Sequence, residues 1–309
     1  MKVVNRLFRI TALISVFLIL VPGVTGCFQH PKNRYALCMS HLSNSFTNTV
    51  ADAVRQRAAE LGIELIILDA QQSMPRQAGQ VETLIKNGVT GIVIEPVASE
   101  GLEKILEKCQ VRNIPVVLVS QRISNDNLAN CYVGSDNVES GRLEMAACLD
   151  SINQNGQIVI LHGPVGSQAQ TSRYRGYLDA LDAKPDVQIV AELNADWNAD
   201  KARSIIANWL TAGKRFDAVV AQNDEMAMGA IEALKSANML DQVKVFGIDA
   251  SPQAVLAVKT KEMTATISIQ PAEQGRKAVE ACVGLANGQE VAAEILVSQL
   301  VIKAESLKE

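Results

Sequence analysis

The sequence predicts an α/β protein of two lobes, each a parallel sheet with helices on both faces. Three observations carry this expectation. Short, continuously apolar runs alternate with amphipathic segments from Tyr35 onward, the alternation starts again near Ile158, and 309 residues suit two domains of ordinary size. Lobes of this plan are Rossmann-like.

In the first series the strand-like runs are Tyr35–Ser40, Glu64–Asp69, Gly91–Glu95, Pro115–Ser120 and Cys131–Gly134. Helix patterns lie between the first four. Phe46, Val50, Ala53, Val54 and Leu61 share one helical face, and Gly62 is placed to stop that helix. Strands buried on both faces lose polar alternation, and parallel neighbours need a crossover helix between them. The second series runs Ile158–His162, Val187–Ala191, Asp217–Gln222, Lys244–Asp249 and Thr264–Ile269. No Pro/Gly-rich or charged linker divides the series, so the lobes should join through short crossings near Asp136. The halves share a pattern rather than a sequence repeat.

The N-terminus predicts export. Lys2, Arg6 and Arg9 precede the apolar run Ile10–Val24, which is too short for a comfortable membrane span. This reads as a signal peptide over residues 1–26. The run ends in Val24-Thr25-Gly26-Cys27, which resembles a bacterial lipobox; cleavage there and lipidation of Cys27 would anchor the mature chain, with residues 27–34 as a tether. A plain secretory signal with an incidental cysteine is the alternative. Either way the chain is expected to face the periplasm or cell exterior. In a Gram-negative host, Phe28 after the cysteine would resemble an outer-membrane sorting signal.

Composition narrows the partners. With 48% hydrophobic residues, 20% charged residues and a net charge of −4, the chain shows no basic face. No helix-turn-helix or finger module precedes the first strand, so no nucleic-acid partner is expected. The remaining cysteines, Cys38, Cys109, Cys131, Cys148 and Cys282, show neither CxxC nor metal-finger spacing, and their odd number leaves one unpaired. No metal or cofactor is expected. Cys38, Cys148 and Cys282 fall in strand-like or helix-like runs and read as buried thiols, whereas a bridge between Cys109 and Cys131 stays open.

In an open parallel sheet, ligands bind beyond the carboxyl ends of the strands, where loops and helix N-termini converge. Asn44 and Phe46 follow the first run, Glu95 ends the third, and Ser120, Gln121 and Arg122 follow the fourth. In the second lobe Arg173 lies beyond the loop Gly163–Gly166, Trp197 follows the seventh run, Asn223 and Asp224 follow the eighth, and Asp249 ends the ninth. Carboxylates, amides and guanidinium answer hydroxyl groups, and aromatic faces pack on the apolar face of a sugar ring. Taken singly, these residues have plainer roles. Asn44 suits a helix N-cap, Asp224 and Glu225 a helix N-terminus, and Asp249 a cap for a helix starting near Ser251. Phe46 and Trp197 suit a core, and Arg173 a solvated helix face. Their convergence on one edge of both sheets favours a shared cleft.

These residues carry a family resemblance. From about Ala36 to Lys303 the chain resembles the ribose-binding branch of the periplasmic sugar-binding proteins, which share a core fold with LacI-type repressors (the type I periplasmic binding proteins). The matching segments are Ser43-Asn-Ser-Phe46, Gly134-Ser-Asp-Asn137, Arg173-Tyr-Arg-Gly176 and Ala221-Gln-Asn-Asp-Glu-Met-Ala-Met-Gly-Ala230. The resemblance implies a three-crossing hinge near Asp136, Ile269 and Leu296, dividing the chain into lobes of 35–136 plus 270–296 and 137–269 plus 297–309. It also implies that Asn44, Phe46, Arg173, Trp197, Asn223 and Asp249 line the cleft, Trp197 standing where such binders usually carry Phe. Elsewhere the chain departs from the pattern. Glu95 replaces an Asn, Ser120-Gln121 replaces an Asp-Arg pair with Arg122 one residue on, and Thr47 replaces a second Phe. Ile248 replaces the aromatic before Asp249, and Ile269 replaces a hinge-side Gln with Gln270 adjacent. A buried carboxylate needs a counter-charge or several donors, so Glu95 turns the expectation from ribose toward a polyol or pentose-like sugar, and after it an amino-bearing sugar.

The expected function is capture of a small sugar or polyol by a monomeric binding protein whose lobes close on a hinge. The closed form would be presented to the permease of an ABC importer or, alternatively, to a chemoreceptor or sensor kinase. An enzyme is the rival. There is no glycine-rich phosphate loop and no HExxH helix, and His30, His41 and His162 lie outside any Ser/His/Asp grouping. Only Glu95 and Asp249 would offer an acid/base pair.

Overall fold

In the computed structural model, which describes residues 33–182 and 184–307, the apolar runs form two six-stranded sheets. The first contains β1 (Arg34–Met39), β2 (Glu64–Asp69), β3 (Gly91–Ile94), β4 (Val116–Val119), β5 (Cys131–Gly134) and β11 (Glu294–Leu296). Their spatial order is β11-β5-β4-β3-β1-β2, and every pairing is parallel. Helices α1 (Ser45–Glu60) and α9 (Pro271–Ala286) cover one face, packing Val50, Val54, Ala278 and Cys282 against Leu37, Val93 and Val117. Helices α2 (Met74–Lys86) and α3 (Glu103–Val111) cover the other, with Val81, Leu84 and Leu106 against Ala36, Ile92 and Leu118. Burial on both faces is the physical reason the strands read as unbroken apolar runs.

The second sheet contains β6 (Gly156–His162), β7 (Val187–Asn194), β8 (Ala218–Ala221), β9 (Lys244–Ile248), β10 (Ala265–Ser268) and β12 (Leu300–Lys303). Its order is β12-β10-β9-β8-β6-β7. Helices α4 (Asn137–Ser151) and α5 (Gln168–Leu181) pack on one face; α6 (Ala199–Thr211), α7 (Asp224–Ser236) and α8 (Pro252–Lys259) pack on the other. The expectation of wholly parallel sheets needs one correction, because β12 runs antiparallel to β10 at the sheet edge. Both sheets belong to one compact unit.

The chain passes between the sheets three times: at Ser135–Asp136 between β5 and α4, at Ile269–Gln270 between β10 and α9, and at Val297–Gln299 between β11 and β12. Side chains tie the crossings together. Gln274 donates to the Ile269 carbonyl at 2.6 Å and to Ser135 Oγ at 3.2 Å, and Gln270 donates to the Ser298 carbonyl at 2.8 Å. Gln299 Nε2 donates to the Asp136 carbonyl at 2.8 Å.

All five described cysteines are free and buried. The bridge considered between Cys109 and Cys131 does not form. Cys109 on α3 belongs to the core on one face of the first sheet and Cys131 on β5 to the core on the other, so the sheet separates them. The predicted signal peptide and Cys27 lie outside the described residues. No described helix is long and apolar enough to cross a membrane.

Candidate functional site

Each strand of the first sheet that ends near the hinge delivers a polar group to the same place. Beyond β1, Asn44 caps α1: its Oδ1 accepts from the Thr47 amide at 2.9 Å and the Thr47 hydroxyl at 3.0 Å. Capping uses only the oxygen, which leaves the Nδ2 donor for the cavity that Asn44 lines. Phe46, one residue into α1, packs half-buried between the first core and a small cluster of Ile248, Ile267 and Ile269. Glu95, just past β3, is 2% exposed, and its Oε2 accepts from the Ser40 amide at 3.1 Å and the Ser40 hydroxyl at 2.6 Å. Burial pushes its pKa up to about 7 despite those hydrogen bonds and one from Gln121. Among the described residues no cation forms an ion pair with it.

Ser120 ends β4 in a left-handed conformation at φ 63°, which turns its hydroxyl onto Gln274 Oε1 at 2.8 Å. A non-glycine residue is held there only when its surroundings over-determine it. Gln121 follows, and its Oε1 accepts from Ser167 Oγ of the other lobe at 2.8 Å. Arg122 turns away. It stacks 3.8 Å over the Tyr132 ring and pairs with Asp126 and Glu294 outside the cavity.

The second lobe supplies the facing wall. Arg173 on α5 is buried, not solvated: Nε donates to Asn137 Oδ1 at 3.1 Å, Nη1 donates to the Gln222 carbonyl, and Nη2 lies 4.0 Å from Asp249 Oδ1. Its placement depends on close contact between α4 and α5. A Cβ on Gly141 would lie 2.0 Å from the Arg173 carbonyl oxygen, and one on Gly176 2.1 Å from that of Val138. Beyond β7, Asp196 and Trp197 are both left-handed, at φ 55° and 58°, and this turn lays the indole against Gly163. The guanidinium of Arg173 sits 5.6 Å from the indole centroid. Asn223 caps α7 through Oδ1, accepting from the Met226 amide at 3.0 Å, and like Asn44 keeps its Nδ2 for the cavity.

Asp249 does not cap α8; Ser251 does, accepting from the Ala254 amide at 3.2 Å. Asp249 instead stands on a strained backbone at φ 130° and faces the cavity. Burial raises its pKa and the neighbouring Asp224 adds to the rise, while Arg173 opposes both. Asp224 is more than a helix-terminus charge, since it accepts from the Thr266 hydroxyl and the Ser251 amide, each at 2.7 Å. Burial still pushes it up to about 7. Glu225 reaches across to the first lobe and accepts from the Ser45 amide at 3.2 Å.

Asn44, Phe46, Glu95, Ser120, Gln121, Arg173, Trp197, Asn223 and Asp249 thus all line one cavity between the lobes. The space between these side chains, including the part open to solvent, is about 480 Å³. Sequence reasoning missed His41, Asn137 and Gln274, which line it too. Asn137 was discoverable, because it lies inside the Gly134–Asn137 segment; His41 and Gln274 carry no comparable signal. Among the described residues no group of His, Cys, Asp and Glu is arranged to hold a metal ion.

Two α/β lobes hinged at three crossings around a cavity lined from both sheet edges define the architecture of a two-lobed solute-binding protein. The chain belongs to the periplasmic binding protein domain family, whose model matches residues 35–290. It is 30% identical over 294 residues to the ribose import binding protein RbsB of Haemophilus influenzae, covering 95% of this chain and 99% of that protein. It is 31% identical over 267 residues to a xylitol-binding protein of Mycolicibacterium smegmatis, covering 86% of this chain and 71% of the other. Among solved structures, an ABC transporter solute-binding protein of Bacillus halodurans with bound myo-inositol superposes with a TM-score of 0.86 at 30% identity, covering 90% of this chain and 96% of that one.

Proposed function

We infer that this chain is an extracytoplasmic solute-binding protein that captures a sugar or polyol for an ABC-type importer by closing its two lobes. One observation carries the reading: donors, acceptors and an aromatic face from both lobes surround a single small cavity. A ligand that touches both walls binds the closed form better than the open one, so its binding energy drives closure. The moving bodies are residues 35–136 plus 270–296 and residues 137–269 plus 297–309, turning on the three crossings. Arg173 and Asp249 hold hydroxyls by charge-assisted hydrogen bonds, the Nδ2 groups of Asn44 and Asn223 donate, and Trp197 and Phe46 pack on the ring or chain. Glu95, Ser120 and Gln121 adapt the first lobe to a solute other than ribose.

The mature protein is a monomer anchored through lipid on Cys27 and partnered by a permease. Mass spectrometry of the mature N-terminus tests the anchor; an unmodified terminus at another residue rules it out. A thermal-shift screen of sugars, polyols and amino sugars tests the binding function. Specific stabilisation by one chemical class supports it, and conversion of the ligand during incubation would make the protein an enzyme.

A further inference from the structure

We propose that the solute carries a protonated amine as well as hydroxyls, an aminated polyol or sugar, with the amine seated against Glu95. The proposal rests on the polyol-binding reading above and specifies the charge of the ligand within it.

The cavity wall holds two carboxylates, Glu95 and Asp249, and one guanidinium, Arg173. Arg173 serves the second lobe: it is bound to Asn137 and the Gln222 carbonyl and faces Asp249. Glu95 stands on the first lobe with hydroxyl and amide donors only. Every other ionisable group near it is neutral or turned elsewhere. His41, on the same wall, accepts the Ser43 amide at Nδ1, which requires that nitrogen to be unprotonated and the ring neutral, and burial lowers its pKa in the same sense. Cys38 on β1 beneath the site is a thiol that burial pushes up to about 12. Arg122 is spent outside the cavity on Asp126 and Glu294. Gln77 is occupied by the main chain, donating to the Glu95 carbonyl at 2.8 Å and accepting from the Val97 amide at 3.0 Å.

With both carboxylates ionised the wall carries one more negative than positive group, and the surplus belongs to Glu95. A buried carboxylate without a cation is costly, and hydroxyl donors offset that cost only in part. An ammonium supplies the missing charge and three donors on a compact head, and its hydrogen bonds to a carboxylate are about twice as strong as neutral ones. The hydroxyls of the same ligand would meet Arg173, Asp249 and the asparagine amides.

Matched pairs separate the two claims. The full mature chain is titrated calorimetrically with glucose and glucosamine, galactose and galactosamine, and inositol and an amino-deoxy-inositol, near neutral pH. In at least one pair the amine is expected to bind about tenfold or more tightly than its hydroxyl parent. Glu95→Gln is expected to erase that advantage, so that in the variant the amine and its hydroxyl parent bind within about threefold of each other. The advantage should also shrink as pH falls below about 7, where Glu95 takes up a proton. If hydroxyl parents bind and no amine surpasses its parent, the amine proposal is overturned and the polyol reading stands. Should E95Q keep the amine's advantage, the seat at Glu95 is wrong. Should no member of any pair bind, the polyol reading falls and takes the proposal with it. The wild-type comparison needs no variant, so a poorly folding E95Q leaves the test intact.

Discussion

Arg173 and Asp249 face each other across 4.0 Å, from α5 and from the end of β9, with each side chain only 6% exposed. That spacing is too long for a direct hydrogen bond and short enough for mutual charge compensation. Donors and acceptors on both groups are thus left for a ligand to bridge. Arg173→Ala and Asp249→Ala should each lower ligand affinity by at least about a hundredfold, measured by calorimetry, because each strands a buried polar partner. Their effects on stability should differ. Removing the arginine leaves Asp249 beside Asp224 without compensation, a change expected to cost about 3–5 kcal/mol near pH 8. Asp249→Asn relieves that repulsion and should leave the unfolding temperature unchanged or raised.

Contacts that exist only between the lobes set the closed population. Glu225 accepts from the Ser45 amide at 3.2 Å, and Gln121 accepts from Ser167 Oγ at 2.8 Å. A third contact, Ser99 amide to Gly166 carbonyl at 3.1 Å, is backbone only and survives side-chain changes. Glu225→Ala removes a charge-assisted hydrogen bond of roughly 1.5 kcal/mol, so apparent affinity should weaken by about tenfold. Small-angle scattering should show the ligand-free variant more open, with saturating ligand restoring the closed dimensions. Equal scattering of variant and wild type without ligand would exclude this role for Glu225.

The sequence made most of the fold legible because eight strands are largely buried, and the half-exposed edge strands β2 and β7 still carry apolar runs. The two it missed, β11 and β12, are edge strands of three and four residues, half-exposed and interrupted by polar positions such as Glu294. At the site, strand-end placement was enough to gather nine wall residues. It could not say which residue capped which helix. Asn44 and Asn223 do both jobs, whereas the cap expected of Asp249 belongs to Ser251, two residues on. Partners distant in sequence were also hidden: nothing near Glu95 indicates that Ser40, 55 residues earlier, supplies two donors to its Oε2. Gln270 sits beside a cleft position yet serves the hinge through Ser298, since its left-handed backbone at φ 50° turns it outward.

The stacking wall depends on a missing methyl group. A Cβ on Gly163 would lie 2.1 Å from the Trp197 ring, so Gly163→Ala must displace the indole. Affinity should fall by about tenfold or more, as stacking contributes roughly 1 kcal/mol beyond area burial. Trp197→Phe keeps an aromatic face and should lose less. The chain has two tryptophans, and Trp209 is buried in the second-lobe core, so ligand-induced fluorescence change should report Trp197 and vanish in W197F.

Glu95 gives stability a pH dependence of definite sign. Burial holds its folded pKa at about 7, above the ordinary value of 4.5, so between those limits the native protein keeps a proton that the unfolded chain has released. Stability from this group is therefore present at low pH and lost as pH rises toward and through about 7. A shift of that size corresponds to roughly 3 kcal/mol, the upper limit of what ionising Glu95 can cost the ligand-free closed protein. Gln at this position keeps an oxygen to accept from Ser40 and carries no charge. Thermal unfolding of ligand-free E95Q should match wild type near pH 5 and exceed it near pH 8, where Tm is expected to rise by a few degrees. His41, whose pKa burial lowers, is common to both proteins and cancels in the difference. A constant difference between E95Q and wild type across the pH range would mean that Glu95 is not the group being ionised.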